Sequence, residues 1–163
     1  MSSEITSKFE SKSNATGNRL ERFVEHALID KGYTEFWNHK ATAFESRAAI
    51  GGKQYLRQLP VGTTIYNTPR KADFFIINAE RFPNNLIIEC KWQQVGGSVD
   101  EKYPFLLFNI IKTGIPTVVL LDGSGYKPAA MAWLKEQVNE NGALIGVLTM
   151  AEFHTKINNR FLG

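Results

Sequence analysis

The sequence predicts an α/β fold, a central mixed β-sheet flanked by helices on both faces. Three observations predict it. A helical apolar period opens the patterned part of the chain, and strand-like apolar runs then alternate with further helical segments. Thr117-Val118-Val119-Leu120-Leu121 is apolar without interruption, as a strand covered on both faces has to be.

Residues 1–16 are rich in Ser, Thr, Lys and Asn without apolar period, which predicts a flexible N-terminal arm ahead of a single domain over 17–163. From about Gly17 a helix follows, because Leu20, Phe23, Val24, Ala27 and Leu28 recur at i, i+3, i+4, i+7 and i+8. Gly32 is its expected stop, and a strand is expected from about Thr34 to Phe44. Residues 46–72 are punctuated by Gly51-Gly52, Pro60 and Gly62, leaving short strand pieces at Tyr55-Leu56 and Thr63–Tyr66. Lys71–Ile77 and Leu86–Gln93 read as two strands joined by a turn around Arg81–Asn85.

Gly96-Gly97 breaks the pattern, and Ser98-x-x-Glu101 has the spacing of a capping box for a helix running to about Thr113 and ended by Gly114. Pro104 inside it requires either a kink or a preliminary turn, and Leu106, Leu107, Ile110 and Ile111 give the apolar stripe. Gly123-Ser124-Gly125 lacks the third glycine of a dinucleotide fingerprint and reads as a turn. Pro128 suits the start of the next helix and Asn141-Gly142 its end. Leu144–Leu148 is a last strand near an edge, followed by a short helix from Ala151 to Ile157.

Composition narrows the function classes. At 163 residues the chain can bury a core, with 43% hydrophobic and 21% charged residues. Cys90 is the lone cysteine, which excludes an internal disulfide and fits a reducing, cytoplasmic setting. No apolar run reaches the ~18 residues of a membrane span, and no signal peptide is expected. His26, His39 and His154 have no ligand spacing. A net charge of +3 permits a polyanionic partner without requiring one.

The chemistry concentrates in Leu86–Gln93. Alternation puts Glu89, Lys91 and Gln93 on one face and Ile88, Cys90 and Trp92 on the other. A carboxylate beside an ammonium at the end of a core strand is either a half-exposed ion pair or a cation site with a lysine steadying a charged oxygen. Asp73 lies sixteen positions upstream of Glu89, so two short antiparallel strands bring both carboxylates to one end of the sheet.

Asp73 followed by Glu89-x-Lys91 resembles the PD-(D/E)XK nuclease superfamily, to which many type II restriction endonucleases belong. Ala72 stands where the motif's name has proline. The resemblance takes in Gly17-x-x-Leu20-Glu21 and Gly97–Pro104, and so covers residues 17 to about 113. It implies a restriction-endonuclease-like core and a Mg²⁺-dependent, site-specific DNA endonuclease, from a restriction system, phage or mobile element, with Mn²⁺ able to substitute. Asp73, Glu89 and the Cys90 backbone carbonyl would then hold the metal. Lys91, its pKa lowered by the cation and burial, would orient water or neutralise phosphate. Gln93 would position water or bind phosphate, or be merely a polar strand end. Glu21 would be a helper carboxylate, although Asn18 and Glu21 also have capping-box spacing. Holliday-junction resolvases, homing endonucleases of this superfamily and a catalytically silent DNA-binding subunit are the alternatives.

The expected partner is double-stranded DNA. Arg47, Lys53, Arg57, Arg70 and Lys71 are basic, and no acid occurs between Ser46 and Ala72. Gln54, Tyr55, Gln58 and Asn67 interleave, so the segment reads as DNA-contacting rather than as a plain basic surface. Lys53, Arg70, Lys71 and Lys102 are assigned to phosphates and Arg57 to a base edge. One site cuts one strand, so double-strand cleavage asks for a homodimer, a higher oligomer or a partner subunit.

Overall fold

The first helix, α1 (residues 19–30), buries Leu20, Val24 and Leu28 completely, one residue per turn of its apolar stripe. Gly32, at φ 83°, turns the chain out of the helix, and the Tyr33 amide caps it by donating to the Leu28 carbonyl at 3.0 Å. A computed structural model describes residues 19–36, 52–94, 96 and 100–163. The expected arm, Gly17, Asn18, His39, Arg47, Ser98 and the strand beyond Phe36 lie outside those residues.

Among the described residues six strands form one sheet, in the order β1-β2-β3-β4-β5-β6. β1 (Thr34–Glu35) runs parallel to β2 (Gln54–Thr63), and β2, β3 (Pro69–Asn78) and β4 (Phe82–Trp92) form an antiparallel meander. β4, β5 (Thr117–Asp122) and β6 (Leu144–Leu148) are parallel, connected through α2 (Lys102–Thr113) and α3 (Pro128–Glu136). The chain then enters α4 (Met150–Asn158), opened by a capping box between Thr149 and Glu152.

Helices cover both faces, as the apolar β5 run requires. Val118 and Leu120 pack with Leu20, Val24, Leu28, Phe153 and Ile157 of α1 and α4. Val119 and Leu121, one residue out of phase, pack with Leu107, Ile110, Met131 and Leu134 of α2 and α3. Each such side chain contributes about 1.5–3 kcal/mol on burial. On β4, Ile88, Cys90 and Trp92 face α1 and α4, as alternation predicted.

Several expected boundaries move. The pieces expected at Tyr55-Leu56 and Thr63–Tyr66 are one ten-residue strand, β2, followed by a turn in which Thr64 N–H donates to Thr68 O at 2.8 Å. Pro60 is tolerated because its φ suits extended backbone and the residue is exposed. The β3–β4 turn falls at 79–81, not at 81–85, and Pro83 and Asn85 (φ 61°) belong to β4. α2 starts at Lys102 without a side-chain cap, so Pro104 lies in its first turn, where no intrahelical N–H is needed. α3 stops at Glu136, ahead of the Asn139–Gly142 turn.

Two irregularities shape one end of the sheet. Gln58, in mid-strand, has φ 49°, and the facing of β2 and β3 changes there. Tyr55 and Phe74 pack towards α1, whereas Leu59 and Ala72, an even number of residues further on, pack with Leu56 and Phe75 on the opposite side. Beyond Phe74–Ile88, moreover, β3 and β4 cease to pair. Ala72 and Lys71 continue alongside β2, while Glu89 to Trp92 continue alongside β5. The two central strands therefore fork.

Candidate active site

Asp73, Glu89 and Lys91 meet in this fork. Asp73 sits where the ladder ends, and its Oδ2 accepts the Cys90 N–H at 2.8 Å in place of a backbone carbonyl. Its Oδ1 accepts from Gln58 Nε2 at 3.1 Å, so the kinked residue of β2 steadies the acid facing it. Glu89, with 3% of its surface exposed, is the deepest charge in the fork. The Lys91 ammonium lies between the two acids, 3.3 Å from Glu89 Oε2 and 3.7 Å from Asp73 Oδ2.

The fourth member is Arg70. After the change of facing its side chain turns towards Glu89 and α2. Nη2 donates to Glu89 Oε1 at 2.6 Å and Nη1 to Thr113 Oγ1 at 2.7 Å, and the residue is 7% exposed. Thr113 passes the tie on by donating to the Asn109 carbonyl. The sequence assigned Arg70 to phosphate; the structure has it buried against a carboxylate. A guanidinium suits that place, since it stays charged when buried and presents several donors.

Burial pushes the Glu89 carboxyl above the ordinary carboxylate range, against the pull of Lys91 and Arg70. Burial draws the Lys91 ammonium down, but Glu89 and Asp73 outweigh it, and its pKa ends above the usual lysine value. Without a cation in the fork the direction is upward, because two carboxylates face the ammonium directly. Burial also raises the Cys90 thiol well above normal, with Asp73 and Glu21 adding to the effect.

The remaining sequence candidates divide. Gln93 is buried and its carboxamide is held on both sides. It accepts from Tyr103 Oη and donates to the Gly125 carbonyl at 3.1 Å. It thereby ties β4 to α2 and to the turn after β5, where a Cβ on Gly123 would lie 2.1 Å from the Gln93 carbonyl oxygen. Burial pushes the Tyr103 hydroxyl up to about 12, so it remains a donor to Gln93. Glu21 accepts from Arg57 Nη2 at 3.2 Å, and Glu25 lies 3.5 Å from Arg57 Nη1. Arg57 also lies over the Phe74 ring at 5.7 Å. The guanidinium expected at a base edge thus neutralises two α1 carboxylates.

The described part of the basic segment, residues 52–72, does not form one surface. β2 and β3 run the length of the sheet, and that separates its charges. Lys53 is at the opposite end of β2 from the fork, roughly 17 Å along the strand from the Asp73 level. There it donates to the Lys31 carbonyl at 3.0 Å and lies over the Tyr33 ring. Lys71 and Lys102 are exposed. Sequence reasoning missed Thr113 and Glu25, and it placed Gln58 among DNA contacts rather than beside Asp73. No local spacing marks them, since each acts across strands or between helix and sheet.

The donors converging in the fork among the described residues are carboxylate oxygens and backbone, without imidazole or thiolate. Among the described residues no group of three His, Cys, Asp or Glu side chains is placed to hold a metal. That set fits a hard dication bound through two carboxylates, with water and phosphate oxygens completing its shell. Lys91 already occupies a position shared by both acids, which is what such a cation requires.

A family profile described as PD-(D/E)XK nuclease superfamily domain matches residues 12–161. Searches of curated proteins and of solved structures found no match.

Proposed function

Since the chain belongs to the PD-(D/E)XK nuclease superfamily and is a nuclease with a nucleic-acid substrate, we propose that it is a Mg²⁺-dependent DNA endonuclease of the site-specific, restriction type. The observation that carries this reading is the convergence of Asp73, Glu89 and Lys91 where β3 and β4 part. Asp73, Glu89 and the Cys90 carbonyl would hold the metal. When bound, it supplies an acidified water and a Lewis acid for the phosphate. Lys91 neutralises charge on the reacting phosphate and orients the attacking water. Asp73 is aligned by Cys90 N–H and Gln58, so it needs little reorganisation to bind a cation. Arg70 keeps one Glu89 oxygen occupied and leaves Oε2 towards Lys91 and Asp73.

Lys71 and Lys102 attract the DNA backbone, and binding weakens steeply with salt. Glu21 and Gln93 act as positioning residues, through Arg57 and through the α2 entry turn. Cutting both strands of double-stranded DNA takes two protomers, and a homodimer is the simplest assembly. The test is cleavage of supercoiled, linear and branched DNA with Mg²⁺, with Mn²⁺ and with EDTA. Metal-dependent cutting of duplex at fixed sites is expected. Cutting confined to branched DNA would replace this reading with junction resolution, and binding without cutting would replace it with a silent subunit. No described helix is long and apolar enough to cross a membrane.

A further inference from the structure

The tip of the β2–β3 hairpin lies against α2 and presents apolar side chains outward. Tyr66 is 72% exposed, and Phe108 and Ile111 of α2 are each 54% exposed, with Ile65 beside them. One face of the Tyr66 ring rests on Phe105, with centroids 5.1 Å apart and planes at 26°. The opposite face is left to solvent. We propose that Tyr66 and the outer face of α2 form a stacking platform for unpaired nucleobases, an inference that rests on the nuclease reading above and names a substrate feature for it.

The platform is held rigidly. Lys112 Nζ donates to Thr64 O at 2.7 Å and to Thr63 Oγ1 and Asn67 Oδ1, each at 3.1 Å. The Ile65 N–H donates to the buried Asn109 Oδ1 at 2.8 Å. Thr64 closes the turn internally, accepting from Tyr66 N–H and Thr68 N–H. A loop tip tied by so many bonds keeps its exposed aromatic ring in one place, which lowers the ordering cost of stacking a ligand on it. An exposed apolar group of this kind marks an interaction surface.

Charge selects the occupant. Neither residues 54–72 nor residues 102–113 contain a carboxylate, while Lys71, Lys102 and Lys112 lie on these elements. A second copy of the same patch would bring lysines against lysines across a two-fold axis. A phosphodiester chain brings the complementary charge, and its bases bring flat π-faces for Tyr66. Only a base out of its helical stack offers such a face. The platform is also joined to the fork, since Glu89 is tied to Arg70, Arg70 to Thr113, Thr113 to Asn109 and Asn109 to Ile65. A strand stacked on Tyr66 thus lies along a path of hydrogen bonds that leads to the reacting carboxylates.

The experiment compares the full chain with Tyr66→Ala, Phe108→Ala and Tyr66→Phe. Fluorescence anisotropy in EDTA reads binding of a labelled oligothymidylate, the matching oligouridylate and an abasic oligomer of equal length. Tyr66→Ala is expected to weaken both base-bearing oligomers by roughly 5- to 150-fold, the range of one base–aromatic stack, and to leave the abasic oligomer unchanged. Tyr66→Phe keeps the ring and should bind as the parent does. Equal loss against the abasic oligomer, or no loss at all, overturns the proposal. So does a change from dimer to monomer in sedimentation with unaltered oligomer affinity, which would make the patch an interface between copies. Cleavage of duplex with Mg²⁺ is measured separately on the parent chain. Cutting without ring-dependent binding removes only the platform, and ring-dependent binding without cutting removes only the nuclease reading.

Discussion

The two ends of the β3–β4 pair handle buried polar groups by opposite means. At the hairpin end the polar groups are mostly neutral and mutually satisfied. Asn78 donates to Tyr33 Oη at 2.9 Å, Tyr33 donates to the Leu162 carbonyl at 2.8 Å, and the Arg81 N–H returns to Asn78 Oδ1. The guanidinium of Arg81 closes the outside by donating to the Phe161 carbonyl. At the forked end the ladder stops, and four charges fill the gap at 2.6 to 3.7 Å. Buried polar groups at the first end fasten the C-terminal segment to the sheet. At the second, Glu89 and Arg70 are buried charges that are costly to desolvate, and Asp73, Glu89 and Lys91 are the groups proposed to react. Charged groups fill one end of the strand pair and mostly neutral ones the other, and the proposed chemistry falls at the charged end.

The largest expected effects break that contrast at the fork. Asp73→Asn, Glu89→Gln and Lys91→Ala should each abolish metal-dependent cleavage while leaving DNA binding in place. Asn78→Ala should cut at the parental rate. Cleavage assays and gel-shift titrations on the four variants check both statements, and residual cutting by Glu89→Gln would remove the assignment.

Arg70→Met should cost about 3–5 kcal/mol of stability in urea unfolding at pH 7, because it leaves a buried carboxylate without its guanidinium. The sign with pH follows from Glu89, whose folded-state pKa is raised by burial. For an acid raised on folding, the penalty grows as pH rises from the unfolded to the folded pKa and is complete above it. The deficit of Arg70→Met should therefore shrink as pH falls through the folded Glu89 pKa. A deficit constant with pH would mean that the loss is one of packing.

At the hairpin end, Asn78→Ala should cost about 1–3 kcal/mol, since Tyr33 Oη and Arg81 N–H lose a partner. This loss should be nearly independent of pH below 8, because burial holds the Tyr33 hydroxyl above its ordinary range. The smallest effects concern lysines. Lys71→Ala and Lys102→Ala should each lower the magnitude of the salt slope of DNA binding by about 1. Lys53→Ala, at the fastened end, should leave it unchanged. Affinities at several salt concentrations decide between the two.

The sequence made the helix-and-strand alternation legible, because α1, β4, β5 and β6 carry their periods in unbroken runs. It also made Asp73, Glu89 and Lys91 legible, since strand alternation and one reversal suffice to bring them together. The partners of the arginines were not legible. Arg70 reaches Glu89 only because facing changes at Gln58, and nothing local requires a glutamine to take a positive φ. Arg57 meets Glu21 and Glu25 because α1 packs over β2, a tertiary fact without sequence spacing. Pro60 and Pro83 misplaced strand boundaries for a similar reason. Proline forbids a donor, and an exposed or unpaired position on a strand does not need one.

Cys90 gives the forked strand a chemical clock. It is the lone thiol of the chain, and it lies on the α1 side of the same residue whose N–H holds Asp73. With its pKa raised well above normal, almost no thiolate forms in the closed sheet. The thiol is half-buried, so its alkylation is slowed by the scarcity of thiolate, and the rate reports how freely the α1 side of the strand that carries Glu89 and Lys91 admits a reagent. A dication held by Asp73 and Glu89 would stiffen the strand and slow that rate without any substrate present, so occupancy of the fork becomes visible from the opposite face of the sheet.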